Sequence, residues 1–217
     1  MVITASSVIA TGALVMGRVS PFPITSTEQD TSTEFSCTVF SPHTTEADLV
    51  ARFGAINVST APVYGLDDGP RDGTVLFADR PDLRVEIAWW DSAKQSPAWV
   101  AVRGPVNRWR VPTGITIGTD LRRLERANGR PFRLAGFWTE LQGVVLSWSG
   151  GRLTTAVSND CTVGVYIQPP YDGTEDLALM RQVRSGREYS SGHPAMQALN
   201  PRVVLLRISF ARPLRAG

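Results

Sequence analysis

The chemistry open to this 217-residue chain rests on 20 acidic side chains, two histidines, two cysteines and its serines. Nucleophilic hydrolysis needs a serine or cysteine oriented by a base. No GxSxG is present, and the only imidazoles are His43, in Ser41-Pro42-His43-Thr44, and His193, in Ser191-Gly192-His193-Pro194. Both contexts are turns. Neither histidine stands near a cluster of acids or thiols, so no zinc or other metal site is expected. Asp67-Asp68 and Asp72 supply oxygen ligands of the kind a hard cation takes, but EF-hand spacing is absent and Gly-Asp-Pro composition is that of a solvated turn. Glu86 and Glu140 are the carboxylates a glycosidase reading would pair, yet Glu86 falls on the polar side of a strand pattern. Residues 114–118 lack the glycine spacing of a phosphate loop. No catalytic residues and no cofactor are expected.

The aromatics point to binding. Six tryptophans are present, and Trp90, Trp109 and Trp138 are not all required on one core face. With Arg130 and Phe132, and with Arg108 and Arg110 nearby in sequence, they compose an aromatic-arginine surface of the type found at binding hot spots. The competing reading is structural: large rings fill a thin sheet–helix core and arginines line its rim.

These side chains must be positioned by a sheet and two short helices. Residues 114–132, GITIGTDLRRLERANGRPF, contain the clearest helix. Thr119 is its expected N-cap, and Leu121, Leu124 and Ala127 its apolar stripe, with Asn128-Gly129 and Pro131 ending it. Residues 44–54 repeat the pattern, with a capping box from Thr45 to Asp48, an apolar side of Ala47, Leu49, Val50 and Phe53, and Gly54 as C-cap. Strands are expected at 35–40, 56–63, 74–77, 83–90, 99–102, 109–111, 132–138, 143–148, 152–157, 161–168 and 202–210. Residues 64–73 read as a loop, 175–183 as a strand or a helical turn, and 194–199 as a short helix. The Gly150-Gly151 turn should join 143–148 to 152–157 as a hairpin. Along 83–90, alternation places Leu83, Val85, Ile87 and Trp89 on one core face and leaves Trp90 on the wetter side. The expected fold class is α+β, an antiparallel sheet with two short helices packed on it. A shift of 75 residues superposes Thr44 on Thr119 and Gly54 on Gly129, which suggests tandem halves, 36–112 and 113–217, within one domain at 35–217.

Residues 1–34 read differently. VIATGALVM at 8–16 has the length of a signal-peptide apolar run, although no Lys or Arg precedes Arg18, and residues 20–33 form a Ser/Thr/Pro-rich linker. That run is too short for a stable membrane span. An exported chain makes Cys37 and Cys161 a disulfide, the alternative being two buried thiols. In the loop-entropy account a link this long stabilises by about 4–5 kcal/mol. The net charge of +2 and the scattered arginines give no nucleic-acid footprint, and no oligomeric state follows from the pattern.

The phrase at 114–132, followed by GFWTELQGVVLSWSGG at 136–151, resembles uncharacterised secreted or periplasmic bacterial proteins. More remotely, Gly118, Leu121, Leu124, Gly129 and Pro131 are similar to the helix signature of β-lactamase-inhibitor-protein-like and BamE-like modules. That resemblance implies a helix-plus-antiparallel-sheet domain that binds another envelope or secreted protein. The expected function is therefore a secreted or periplasmic non-enzymatic interaction module, inhibitor-like or envelope-associated. The alternatives are a small-ligand or glycan-binding domain and a hydrolase with an unrecognised acidic site.

Overall fold

The computed structural model describes residues 33–66, 69–137, 143–154, 161–170, 176–184 and 186–213. The leader-like run at 8–16 and the linker up to residue 32 lie outside the described residues, as do Asp67-Asp68, Trp138 and Glu140. The fold is α+β, with antiparallel sheets and short helices.

Helix α1 (Glu46–Phe53) starts where the capping box places it. The Thr45 hydroxyl accepts from Asp48 N at 3.1 Å, and the Asp48 carboxylate accepts from Thr45 N at 2.9 Å. The bonds the carboxylate accepts, from Thr45 N and from Thr45 Oγ1 (2.8 Å), hold the Asp48 pKa below its ordinary value. Leu49 and Phe53 are buried, whereas Ala47 and Val50 face outward, so the apolar side is narrower than the spacing suggests. A 3-10 turn at Ala55–Asn57 leads into strand β1 (Val58–Tyr64). It pairs with β2 (Pro70–Leu76) through to Tyr64↔Pro70, so much of the expected loop at 64–73 is a hairpin arm. Strands β3 (Val85–Trp89) and β4 (Pro97–Arg103) complete a four-stranded meander.

Helix α2 (Leu121–Asn128) begins one residue later than expected. Asp120, not Thr119, is the N-cap, its carboxylate accepting from Arg123 N at 2.8 Å. Thr119 is occupied otherwise: its hydroxyl accepts from Thr116 N and its carbonyl from Val203 N. Leu121 and Leu124 are buried, but Asn128 takes the buried place expected of Ala127. Gly129 closes the helix in the left-handed region.

Beyond α2 the chain divides between two sheets. Strands β5 (Arg133–Ala135), β6 (Val145–Ser147) and β8 (Glu188–Ser190) form a small sheet in the order β6-β5-β8. The strands β7 (Cys161–Gln168) and β9 (Arg202–Phe210) join the meander, giving the order β1-β2-β3-β4-β9-β7. Within 143–148, β6 pairs with β5; of the strand expected at 152–157, the segment 152–154 is a turn and 155–157 lies outside the described residues. Gly143 sits where the small sheet meets the edge of β7. Its φ is +62°, Ile167 N donates to its carbonyl, and a Cβ there would lie 1.8 Å from Ile167 O. Helices α3 (Leu177–Gln182) and α4 (Pro194–Leu199) pack on each other, with His193 as the N-cap of α4.

Two expected strands are absent. Residues 35–40 form turns, with Val39 N and Phe40 N donating back to Ser36 O, and this buries both Phe35 and Phe40. Residues 109–111 contribute only single bridges from Arg110. Cys37, carried on that turn, is bonded to Cys161 at the start of β7, a separation of 124 residues. The two helices keep their 75-residue offset, but the strands after them are arranged differently and one sheet spans both halves.

The main core lies between the large sheet and the layer of helices and small sheet. The other face is apolar too: Val63, Val75, Ala88, Trp99, Ala101 and Leu205 form a second buried cluster. β3 is buried along its whole length, contrary to the one-sided alternation expected. A polar chain pins α1 to the sheet. Trp89 Nε1 donates to Thr74 Oγ1 (2.9 Å), Thr74 Oγ1 to Glu46 Oε1 (2.6 Å), and Lys94 Nζ to Glu46 Oε1 (2.5 Å) and Thr60 Oγ1 (2.7 Å). Lys94, the only lysine of the chain, holds φ of +55° to reach them.

Burial pushes the Glu46 carboxyl up, but the bonds from Lys94 and Thr74 and the lysine's charge outweigh it and lower its pKa. A depressed carboxyl stabilises the fold above its unfolded pKa and loses that contribution as pH falls through the folded one. Glu46→Gln should therefore be less stable at neutral pH, with the difference from the native chain shrinking in acid, as measured by thermal melts across pH. Replacing both cysteines by serine should lower the unfolding free energy by about 2–5 kcal/mol in urea titrations.

Candidate interaction surface

The aromatic-arginine surface expected from the sequence is not a single surface. Trp109 is buried beneath α1, its ring against Phe40 and Phe53 and its Nε1 donating to Leu83 O at 2.7 Å. Phe132 is also buried, 5.0 Å from the Trp148 ring. Both belong to the core because they follow directly on chain reversals that fold inward, which periodicity does not register. Trp90 and Arg130 are exposed, but on different elements. Trp90 directly follows β3 and carries the Arg212 guanidinium 5.6 Å from its ring centroid, while Arg130 follows α2 and donates to Ser149 O. Arg108 is paired with Asp82 at 3.1 Å, and Arg110 is exposed.

His43 is exposed at the mouth of α1. His193 is spent on capping, its Nδ1 accepting from Ala195 N at 3.2 Å. Glu86 lies on the second face of the large sheet and is buried, not wet. Arg84 Nε stands 3.3 Å from its Oε1, and an Arg103 Nη 3.2 Å from its Oε2. Alongside, the Arg207 guanidinium lies 5.2 Å from the Trp99 ring centroid. A carboxylate braced on both sides by guanidinium groups suits a structural bridge between β3 and β4 better than proton transfer. Among the described residues no group of three or more His, Cys, Asp or Glu side chains is placed to hold a metal.

No local sequence pattern marks a groove of about 430 Å³ at one end of the large sheet. It lies where β4 and β7 finish and β9 begins, between the turns at Pro105, Ile117-Gly118 and Pro169-Pro170. Gly118 N donates to Val203 O and Val203 N to Thr119 O, so the 117–119 wall is hydrogen-bonded to β9. The lining is chiefly proline, glycine and aliphatic, and such residues lose little conformational freedom when a ligand arrives. Arg202, exposed at the edge, makes no ion pair among the described residues. Val106 stands 56% exposed beside Pro105, an apolar side chain left in water next to an apolar groove. The meeting of Pro169-Pro170 with residues 104–105 and 117–118 depends on strand order.

With this geometry in view, the chain matches no protein-family model, no curated protein and no solved structure.

A second rigid corner lies at the end of α2. The buried Asn128 side chain donates to Arg130 O (2.9 Å) and Trp148 O (3.0 Å) and accepts from Leu153 N (3.1 Å). It thus rivets the helix terminus to the 148–153 turn. Gly151 is required there, since a Cβ would lie 2.1 Å from Asn128 Oδ1. Asn128→Ala removes three hydrogen bonds and leaves the buried Leu153 N–H unpaired, while Trp148 O keeps its bond from Gly151 N, and should cost about 1–3 kcal/mol in chemical denaturation.

Proposed function

We propose that this protein is a secreted or periplasmic interaction module that receives an extended, largely apolar segment of another envelope or secreted protein. The groove between the Pro105, Ile117 and Pro169-Pro170 turns carries this reading, because it is apolar and pre-formed, and its lining residue Pro105 is followed in the chain by exposed Val106. Arg202 at its edge favours a segment with a carboxylate beside its apolar residues. Export is supported by the Cys37–Cys161 disulfide, since such bonds persist in oxidising compartments, and by the leader-like run at 8–16. The described residues include no helix long and apolar enough to cross a membrane. The likeness to β-lactamase-inhibitor-protein-like and BamE-like helix signatures points the same way.

A small apolar ligand or a glycan is the second reading. The groove volume falls within the roughly 300–1,000 Å³ typical of ligand pockets. A photo-reactive phenylalanine analogue replacing Val106 distinguishes the two, with Ile56, 92% exposed on the turn after α1, as the control position. A polypeptide adduct formed from position 106 and not from 56, and weakened about tenfold or more by Ile117→Asp, is the expected outcome. Equal labelling from both positions would remove the groove from the interaction. A small molecule co-purifying with the native chain but not with Ile117→Asp would replace the leading reading with the second.

A further inference from the structure

The arginines of this chain are not evenly neutralised. Four of those on the β1–β4 meander and its loops meet carboxylates: Arg80 and Arg108 at Asp82, Arg84 and Arg103 at Glu86. Around the end of α2 they do not. Arg123, Arg126, Arg130 and Arg152 are exposed there, and none makes an ion pair among the described residues. The acids of the same helix are committed elsewhere. Asp120 caps Arg123 N, and Glu125 turns inward to accept from Ser191 Oγ (2.5 Å) and Gln197 Nε2 (3.2 Å).

Two of these guanidinium groups are held in place by backbone. Arg152 donates from Nε to Ala127 O (3.1 Å) and from Nη2 to Arg126 O (3.0 Å), covering the free carbonyls of the helix terminus. Arg130 donates from Nη1 to Ser149 O at 3.1 Å. Each guanidinium has five N–H donors, so both keep donors free. Between them is an open depression of about 350 Å³ floored by Gly129, Gly150 and Gly151, so no side chain fills it from below. The Asn128 rivet fixes the relation of helix to turn, and with it the placing of the two arginines. Arg123 and Arg126, one turn apart on α2, repel each other and add positive potential alongside. Unpaired like charges held on a rigid frame are stabilised by a bound counter-anion, and a tetrahedral oxyanion can engage two guanidinium forks at once.

We propose that the corner formed by Arg130, Arg152 and the glycine floor, with the charge of Arg126 on the adjoining turn of α2, binds a phosphate or sulfate ester group. It is separate from the proposed groove: the two share no lining residue. A lipid headgroup and a soluble ester present the same oxygens to this corner.

The double variant Arg126→Gln/Arg130→Gln tests this, because it leaves Arg152 and Asn128 to hold the helix terminus. Inorganic phosphate and sulfate, titrated at constant ionic strength against chloride, should give saturable amide shifts at Gly129, Gly150 and Gly151 in the native chain. The variant should keep its fold and lose about tenfold or more in affinity. Equal effects of chloride, or equal affinity in a folded variant, would overturn the site. Co-sedimentation with phosphatidylglycerol vesicles but not phosphatidylcholine vesicles, abolished in the variant, would assign the ester to a lipid. Phosphate binding without co-sedimentation would assign it to a soluble ester.

Discussion

The pairing of β9 with both β4 and β7 is the constraint on which the rest of the structure depends. The last strand of the chain inserts beside the fourth, so a meander built from residues 58–103 and strands from the second half become one sheet. Without that insertion the meander would expose its β4 edge, and β7 would have no large sheet to join. The burial of β9 follows from this central place, with Val203, Leu206, Ile208 and Phe210 in the main core and Leu205 on the opposite face. The groove depends on it as well, since the start of β9 forms its floor and the turns at the ends of β4 and β7 form its walls.

Such a pairing between residues far apart in sequence carries a large loop-closure cost. Two devices offset it here. The Cys37–Cys161 bond ties the entrance of the domain to the start of β7, the neighbour of β9. The hydrogen bonds linking residues 117–121 to 201–203 then join the start of α2 to the start of β9. Helix α2 is thereby fixed at both ends, by β9 at its N-terminus and by the Asn128 rivet at its C-terminus. Its outward arginines are presented on a rigid support.

The polar groups follow one logic. Where carboxylate and guanidinium lie on or beside the meander they form ion pairs, as at Glu86, although its buried Oε2 accepts no hydrogen bond among the described residues, or complete a chain of bonds, as from Trp89 through Thr74 and Glu46 to Lys94. These networks hold elements together and leave little free donor capacity. Free capacity is found at Arg202 beside the apolar groove and around the glycine-floored corner. Both lie where turns converge, and turns are where a sheet fold can present fixed groups to a partner without disturbing its ladders.

The sequence alone determined the elements whose signals are local. Both capped helices were legible because capping boxes, glycine C-caps and apolar spacing act within a few residues, and β7, α4 and β9 have the bounds their patterns indicate. The cysteine pair was legible from number and context. Tertiary structure decided the rest, for reasons of distance. Whether Trp109 and Phe132 face in or out depends on how the neighbouring turns fold, and β3 reads as one-sided until a second apolar cluster covers its other face. The partner of β6 is β5, and Asn128 claims the glycine turn that follows for the end of α2. The groove and the arginine corner were beyond the reach of sequence altogether. The groove is made by segments that meet only after β9 has taken its place, and the corner by the joining of the α2 terminus to the 148–153 turn; no local pattern encodes either meeting.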